Sequence, residues 1–217
     1  MAMPFTCAWD LNFDTPQLRA LECGAPDLKK FYAPNISRLY ITTRRGYLAS
    51  PARLCIPFYK NLRHLHLRDA YVCALCSTIT DFPRLETIVI DEIYSLNHVP
   101  SARSSSYSAT LESMTLPLPS SRRWRQGFID MFSLLDLPTF RKLTLVGTPK
   151  KPHVDCLLSM LAVAPFRVPV VDFQTDAPLR KVCMDHIESL FLVVGEVTFC
   201  GNALQIDEYR NSRRKGN

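Results

Sequence analysis

The chain has 217 residues, of which 47% are hydrophobic and 21% are charged. This composition is typical of a folded globular protein and excludes disorder along the whole chain. The formal net charge of +6 favours weak attraction to acidic surfaces but does not by itself indicate nucleic acid. No apolar stretch reaches the ~18 residues of a membrane-spanning helix, and the first residues lack the basic segment and apolar run of a secretion signal. We therefore expect an intracellular protein, cytoplasmic or nuclear, that does not contact membranes.

One spacing of apolar residues recurs along the chain. In each copy an apolar residue is followed by a second one three positions later and by a third one two positions after that. Successive copies begin 18 to 29 residues apart, and most of these distances fall in the range of about 20–29 residues that is typical of leucine-rich repeats. The eight copies are Leu18/Leu21/Cys23, Ile36/Leu39/Ile41, Leu62/Leu65/Leu67, Leu85/Ile88/Ile90, Leu111/Met114/Leu116, Phe140/Leu143/Leu145, Val168/Val171/Phe173 and Ile187/Leu190/Leu192.

Each copy predicts one short strand, because alternating apolar residues place one face of a strand against a core. A single repeat cannot bury that face until the next copy stacks on it. We therefore predict an α/β fold, an irregular leucine-rich-repeat-like solenoid with a parallel concave sheet and a convex side of mixed helices and loops. A doubly wound sheet is disfavoured, because the chain has no Gly-x-Gly-x-x-Gly phosphate turn. The predicted boundaries are a lead-in at 1–14, the solenoid at 15–200 and a basic, disordered tail at 201–217.

The segments between the predicted strands differ in character. Residues 70–81 have apolar residues at helical spacing, and residues 120–135 place a stripe of large apolar side chains on one helix face. A third helix is predicted from His153 to Val163, after a proline-containing breaker. Residues 101–108 are rich in serine and predict an exposed loop.

Four phrases carry a resemblance to a known family, at residues 15–23, 33–41, 61–67 and 82–90. They resemble the degenerate leucine-rich repeats that follow the F-box in the expanded F-box protein families of mushroom-type fungi, and the resemblance covers roughly residues 15–195. It implies that the repeats select a protein for ubiquitination. In that family the F-box docks on the adaptor of a cullin-RING ubiquitin ligase. Residues 1–14 contain no Leu-Pro-x-Glu-type opening, so adaptor binding is not expected of any residue here.

The residues that alternate with the apolar positions point away from the core, out of the concave sheet. Some of them combine aromatic area with charged groups, the mixture that is enriched in interaction hot spots. The predicted partner-binding residues are Arg38, Tyr40, His64, His66, Arg68 and Asp91. The alternative for any one of them is a solvated side chain on a sheet face. The predicted function is a non-enzymatic protein–protein interaction module, resembling the substrate-recognition part of an F-box ubiquitin-ligase receptor.

No catalytic residue, cofactor or metal is predicted. His64 and His66 lie two positions apart on one strand face, but no third metal ligand is evident. Cys73 and Cys76 form half of a zinc or redox motif and also fit the buried stripe of a helix. The chain has neither a Gly-x-Ser-x-Gly elbow nor a phosphate loop, so an enzyme is not expected.

The alternative function is a nucleic-acid-associated basic protein. Arg122–Arg125 mixes three arginines with Trp124, as nucleic-acid-binding surfaces do. The simpler interpretation makes Trp124 a core residue of its helix and places the arginines on the solvent side. Binding driven by phosphates would weaken steeply with salt, whereas a hot-spot protein interface would respond mildly.

Overall fold

The computed structural model describes residues 13–14, 17–24, 31–32, 34–42, 60–94, 106–118, 122–176 and 187–203. The predicted lead-in up to residue 12 and the predicted tail from residue 204 onward lie outside these residues.

Nine of the described strands form one sheet. They are β2 (Ala20–Cys23), β4 (Arg38–Ile41), β5 (His64–Tyr71), β6 (Thr87–Tyr94), β8 (Ser113–Pro117), β10 (Lys142–Val146), β11 (Val170–Gln174), β12 (Glu196–Phe199) and β13 (Asn202–Ala203). Two shorter parallel pairs join β1 (Phe13–Asp14) to β3 (Phe31–Tyr32) and β7 (Ser106–Tyr107) to β9 (Leu135–Asp136). The α/β class and a large, mostly parallel sheet are thereby confirmed.

Three α-helices lie in the connections of the large sheet: α1 (Val72–Asp81), α2 (Arg122–Leu134) and α3 (Lys151–Val163). The helices predicted over 70–81, 120–135 and 153–163 are confirmed. Between α3 and the last strands, Glu188–Leu192 forms a 3₁₀ helix.

The strands of the large sheet follow one another in chain order from β2 at one edge to β13 at the other. Every neighbouring pair is parallel except β12 and β13. Connections between parallel strands are right-handed, so a sheet that grows in one direction carries its connections on one face. The helices and the core therefore lie on that face. The opposite face is accessible on β2, β4, β5 and β6, whereas on β10, β11 and β12 it carries the buried side chains of Thr144, Asp172 and Thr198.

The middle apolar residues of the first seven copies form a continuous row across the sheet, because neighbouring strands pair in the same register, and Val197 of β12 extends it. The row is Leu21, Leu39, Leu65, Ile88, Met114, Leu143, Val171 and Val197. Seven of these side chains are buried, and Leu21, on the edge strand, is half-buried. Full burial of one such side chain contributes about 1.5–3 kcal/mol, so the repeated row is a large source of stability.

A second regularity links the turns that precede the strands. The residue just before the first apolar position of a copy bonds to the preceding turn: the Asn61 amide donates to the Pro34 carbonyl at 2.9 Å, and the Thr110 hydroxyl donates to the Pro83 carbonyl at 3.1 Å. Thr139 makes the same contact to the Ala109 carbonyl at 3.1 Å. These bonds satisfy carbonyl groups at the strand ends that the sheet itself leaves unpaired.

The last predicted copy is wrong. Ile187 and Leu190 are buried, but Leu190 lies in the 3₁₀ helix and Ile187 directly before it, and Leu192 is 88% exposed. The strand that pairs with β11 is β12, where Val197 and Phe199, together with the preceding Val194, repeat the same apolar spacing and are buried. The spacing occurs twice within this stretch, and pairing with β11 selects the second occurrence.

The sheet ends in a hairpin. Residues 200 and 201 connect β12 to the antiparallel β13, and both have positive φ, 49° at Cys200 and 79° at Gly201. A two-residue turn with two positive φ angles matches the twist of the strands it joins. The predicted boundary at residue 200 therefore falls inside this hairpin, and residues 201–203 belong to the folded part.

The predicted loop at 101–108 is also corrected where it is described. Ser106 and Tyr107 form β7, and the side chains of Ser106 and Ser108 are buried. The Ser108 hydroxyl accepts a hydrogen bond from the Leu111 amide at 3.3 Å. Serine lowers the hydropathy of the segment, but its hydroxyl can cap backbone amides inside the fold.

Asp81, the last residue of α1, is expected to reduce stability at neutral pH. Its Oδ2 atom is buried without a hydrogen-bond partner among the described residues, and burial raises the pKa of this carboxyl. A negative charge at a helix C-terminus is also unfavourable. We therefore expect Asp81→Asn to stabilise the fold by about 0.5–1 kcal/mol at pH 7, measured by urea unfolding. Because the folded state favours the protonated carboxyl, the gain should shrink toward pH 4. A less stable variant at pH 7 would contradict this.

Candidate functional site

The face of the sheet opposite the core is called here the open face. It carries the residues that alternate with the buried apolar ones. On β2 and β4, Glu22 and Arg38 are exposed and Tyr40 is half-buried; on β5, His64 and His66 are half-buried. These three strands of the large sheet, β2, β4 and β5, therefore present polar and aromatic side chains to solvent.

An open groove of about 480 Å³ crosses β2, β4, β5 and β6 on this face. Its floor includes Leu39 and Leu65, whose side chains are buried in the core. Two rows of side chains line it. The first row is Ala20, Arg38, His64 and Thr87, and the second row is Glu22, Tyr40, His66 and Val89, each aligned by the strand register.

The second row contains a fixed aromatic pair. The rings of Tyr40 and His66 stack with centroids 4.2 Å apart and planes inclined by 26°. The Nε2 atom of His66 lies 2.8 Å from Oδ1 of Asp91 on β6. The carboxylate thus holds the imidazole in place from one side while Tyr40 holds it from the other, so the pair is ordered before any partner binds.

The first row contains a fixed imidazole beside a charged group. His64 Nδ1 and the Thr87 hydroxyl form a hydrogen bond of 2.8 Å, which leaves Nε2 of His64 without a partner among the described residues. Arg38 is the register neighbour of His64 on β4 and is exposed. In the described part of the chain its guanidinium makes no ion pair.

The groove gathers four of the six predicted binding residues: Arg38, Tyr40, His64 and His66. Asp91 does not line the groove but acts on it through His66. Arg68 is exposed on β5 outside the groove. The register also adds lining residues that were not predicted, among them Glu22 and Thr87; the alternation of the strands places both on this face.

The other half of the open face is closed by its own side chains. Asp172 on β11 has a fully buried side chain, and it accepts hydrogen bonds from the Thr198 hydroxyl at 2.6 Å, from Lys142 Nζ at 2.9 Å, from Gln174 Nε2 at 3.0 Å and from the Gly201 amide at 3.0 Å. Burial alone would raise the pKa of this carboxyl, but these four bonds together hold it well below its usual range. A carboxylate with all its acceptors engaged offers little to a partner, and none of these residues lines the groove on β2, β4, β5 and β6.

The described residues contain no group of three His, Cys, Asp or Glu side chains placed to hold a metal ion. Cys76 is half-buried and packs against the hydrophobic core, as its helical position predicted. The side chain of Cys73 lies outside the described residues.

The basic segment at the start of α2 has a structural contact. Arg125 is half-buried, and its Nη2 donates to the Pro152 carbonyl at 3.2 Å, in the first turn of α3. Burial raises the pKa of the neighbouring Cys156 thiol, and the Arg125 charge partly opposes that rise. Arg125 therefore lies between two helices, in contrast to the predicted solvent-facing position. The side chains of residues 122–124 are not among those described.

Comparisons of the chain with protein-family models, with curated proteins and with solved structures find no match. Among the described residues, no helix has the length and apolar character needed to cross a membrane.

Proposed function

We propose that this chain is a non-enzymatic protein-interaction module, a leucine-rich-repeat-like solenoid that holds a protein partner on the open face of its sheet. The observation that carries the proposal is the ordered Tyr40–His66 pair in the groove. Large aromatic side chains supply most of the contact area in interaction hot spots. Side chains that are already fixed lose less conformational entropy when a partner binds.

Two further features support a partner that spans several strands. The groove crosses four neighbouring strands, so a ligand in it would contact residues that are distant in the sequence. Exposed Arg68 and Asp91 lie next to this region on β5 and β6. Charged groups at the edge of an interface guide association and orientation more than they add affinity.

The resemblance to the repeats of fungal F-box proteins suggests a more specific form of this proposal. In that form the chain is the substrate-recognition part of a ubiquitin-ligase receptor, and the partner in the groove is the protein to be ubiquitinated. The proposal concerns recognition only and assigns no adaptor-binding residue.

Substitution of Tyr40 tests the proposal. We expect Tyr40→Ala to abolish capture of the partner, because removal of a hot-spot aromatic side chain commonly weakens binding by about thirtyfold or more. The control is Tyr107→Ala, which removes an aromatic side chain that is 57% exposed outside the groove. Proteins retained from an extract of the source cells by the wild-type chain and both variants would be quantified by mass spectrometry. Circular dichroism would establish that the variants are folded.

Equal retention of every protein by Tyr40→Ala and the wild-type chain would contradict the proposal. Retention that persists in Tyr40→Ala but falls steeply between 50 and 200 mM salt would point to phosphate contacts and to the nucleic-acid alternative.

A further inference from the structure

We propose that the groove binds an extended protein segment of about four or five residues, in which an acidic and a basic side chain are direct neighbours. This inference rests on the proposed function and names the chemistry of the partner at the same site. It follows from the different character of the two rows of side chains that line the groove.

The first row can receive a carboxylate. Arg38 is exposed, has no ion pair within the described part of the chain, and is the register neighbour of His64, whose Nε2 has no partner among the described residues. On its other side the register neighbour of Arg38 is Ala20, whose small side chain leaves room for an incoming group. A guanidinium binds a carboxylate through two parallel hydrogen bonds, and the fixed imidazole of His64 offers a further nitrogen.

The second row can receive a cation. Glu22 is exposed on β2 and is the register neighbour of Tyr40. One face of the Tyr40 ring stacks on His66 toward β5, so its other face is directed toward β2 and Glu22. A lysine or arginine side chain placed there would meet both a carboxylate and the face of an aromatic ring, which attract cations together.

The geometry of an extended chain joins these two sites in one ligand. From β2 to β6 the groove crosses three strand spacings, about 14 Å, which an extended segment covers with four or five residues at about 3.3 Å each. Successive side chains of an extended segment point in opposite directions. A segment lying along the groove therefore directs one side chain to the first row and the next to the second row.

Selection from a display library of random octapeptides tests this inference with the purified full chain. We expect selected peptides to be enriched in an acidic residue (Asp or Glu) next to a basic one (Lys or Arg), in one preferred order. In the double variant Glu22→Arg/Arg38→Glu the preferred order of charges should invert. A selected peptide should bind the single variant Arg38→Glu about tenfold or more weakly, measured by fluorescence anisotropy, because a charge-assisted hydrogen bond is lost.

Two controls make the outcomes distinct. Arg141→Glu reverses another exposed arginine, outside the groove, and should leave peptide binding unchanged; the Arg141 side chain is 74% exposed. Tyr40→Ala reports whether a peptide occupies the groove at all. Peptides that need Tyr40 but show no acidic–basic pairing would overturn this inference and leave the proposed function standing. Absence of any Tyr40-dependent peptide would also overturn this inference, whereas the proposed function is overturned only when Tyr40→Ala retains every protein as the wild-type chain does.

Discussion

Leu143→Asp is expected to unfold the protein, whereas Leu192→Asp is expected to leave it folded. Leu143 is fully buried in the apolar row, between Met114 and Val171 on the neighbouring strands. A carboxylate there would be buried without a partner, and the loss of the leucine would add a cavity. The combined penalty is comparable with the whole stability of a typical domain, about 5–15 kcal/mol. Leu65→Asp should behave in the same way.

The Leu192 variant is a matched control, since it makes the same chemical change at a side chain that is 88% exposed. Thermal unfolding followed by circular dichroism would compare Leu143→Asp and Leu192→Asp with the wild-type chain. Val197→Asp, in β12, should unfold like Leu143→Asp, because Val197 pairs with Val171 in the same row. A cooperatively folded Leu143→Asp variant would contradict the repeat register. If Leu192→Asp unfolded and Val197→Asp stayed folded, the last strand of the sheet would instead be the predicted copy Ile187/Leu190/Leu192.

Asp172→Asn is expected to destabilise the fold by about 3 kcal/mol at pH 7. The amide nitrogen of asparagine would face donors that now meet a carboxylate, above all Lys142 Nζ and Gln174 Nε2. Lys142→Met is the matched comparison at the other end of the ion pair. We expect it to have a smaller effect, because the lysine is 41% exposed and the three other hydrogen bonds of Asp172 would remain.

The effect of Asp172→Asn should depend on pH. The hydrogen bonds hold the pKa of Asp172 well below its usual range, so the carboxylate stabilises the fold fully above the ordinary carboxyl pKa of about 4. As the pH falls below that value, the unfolded chain takes up a proton that the folded chain does not. The stability difference between the wild-type chain and Asp172→Asn should therefore narrow from pH 5 toward pH 2, measured by urea unfolding. A difference that stays constant over this range would contradict the assignment.

The candidate site was predictable in part. Strand alternation places Arg38, Tyr40, His64 and His66 on the same face, and the similar spacing of the copies places their strands side by side. The contacts that order these side chains were not predictable. The bond from His66 to Asp91 and the stack of His66 on Tyr40 depend on side-chain rotamers, and these are set only when three strands lie in register.

The closed half of the open face was not predictable either. The sequence pattern treats Thr144, Asp172 and Thr198 as outward-facing residues like any others, yet all three are buried. The Asp172 carboxylate accepts hydrogen bonds from neighbouring strands and from the turn at Gly201. Lys142, Thr198 and Gly201 are all more than 20 residues from Asp172 in the sequence, so local patterning carries no sign of the cluster.

By itself the sequence determined the strand-forming copies from Leu18 to Phe173, the face that each strand buries, and the three helices. It could do so because these features depend on local periodicity: two residues for a strand and 3.6 for a helix. Only the tertiary structure decided between the two apolar patterns near the end of the chain, at Ile187 and at Val194. Both have the same local periodicity, and a strand forms only where its backbone groups can pair with β11. The division of the open face into an accessible groove and a closed half was decided in the same way, by contacts between residues that only the assembled sheet brings together.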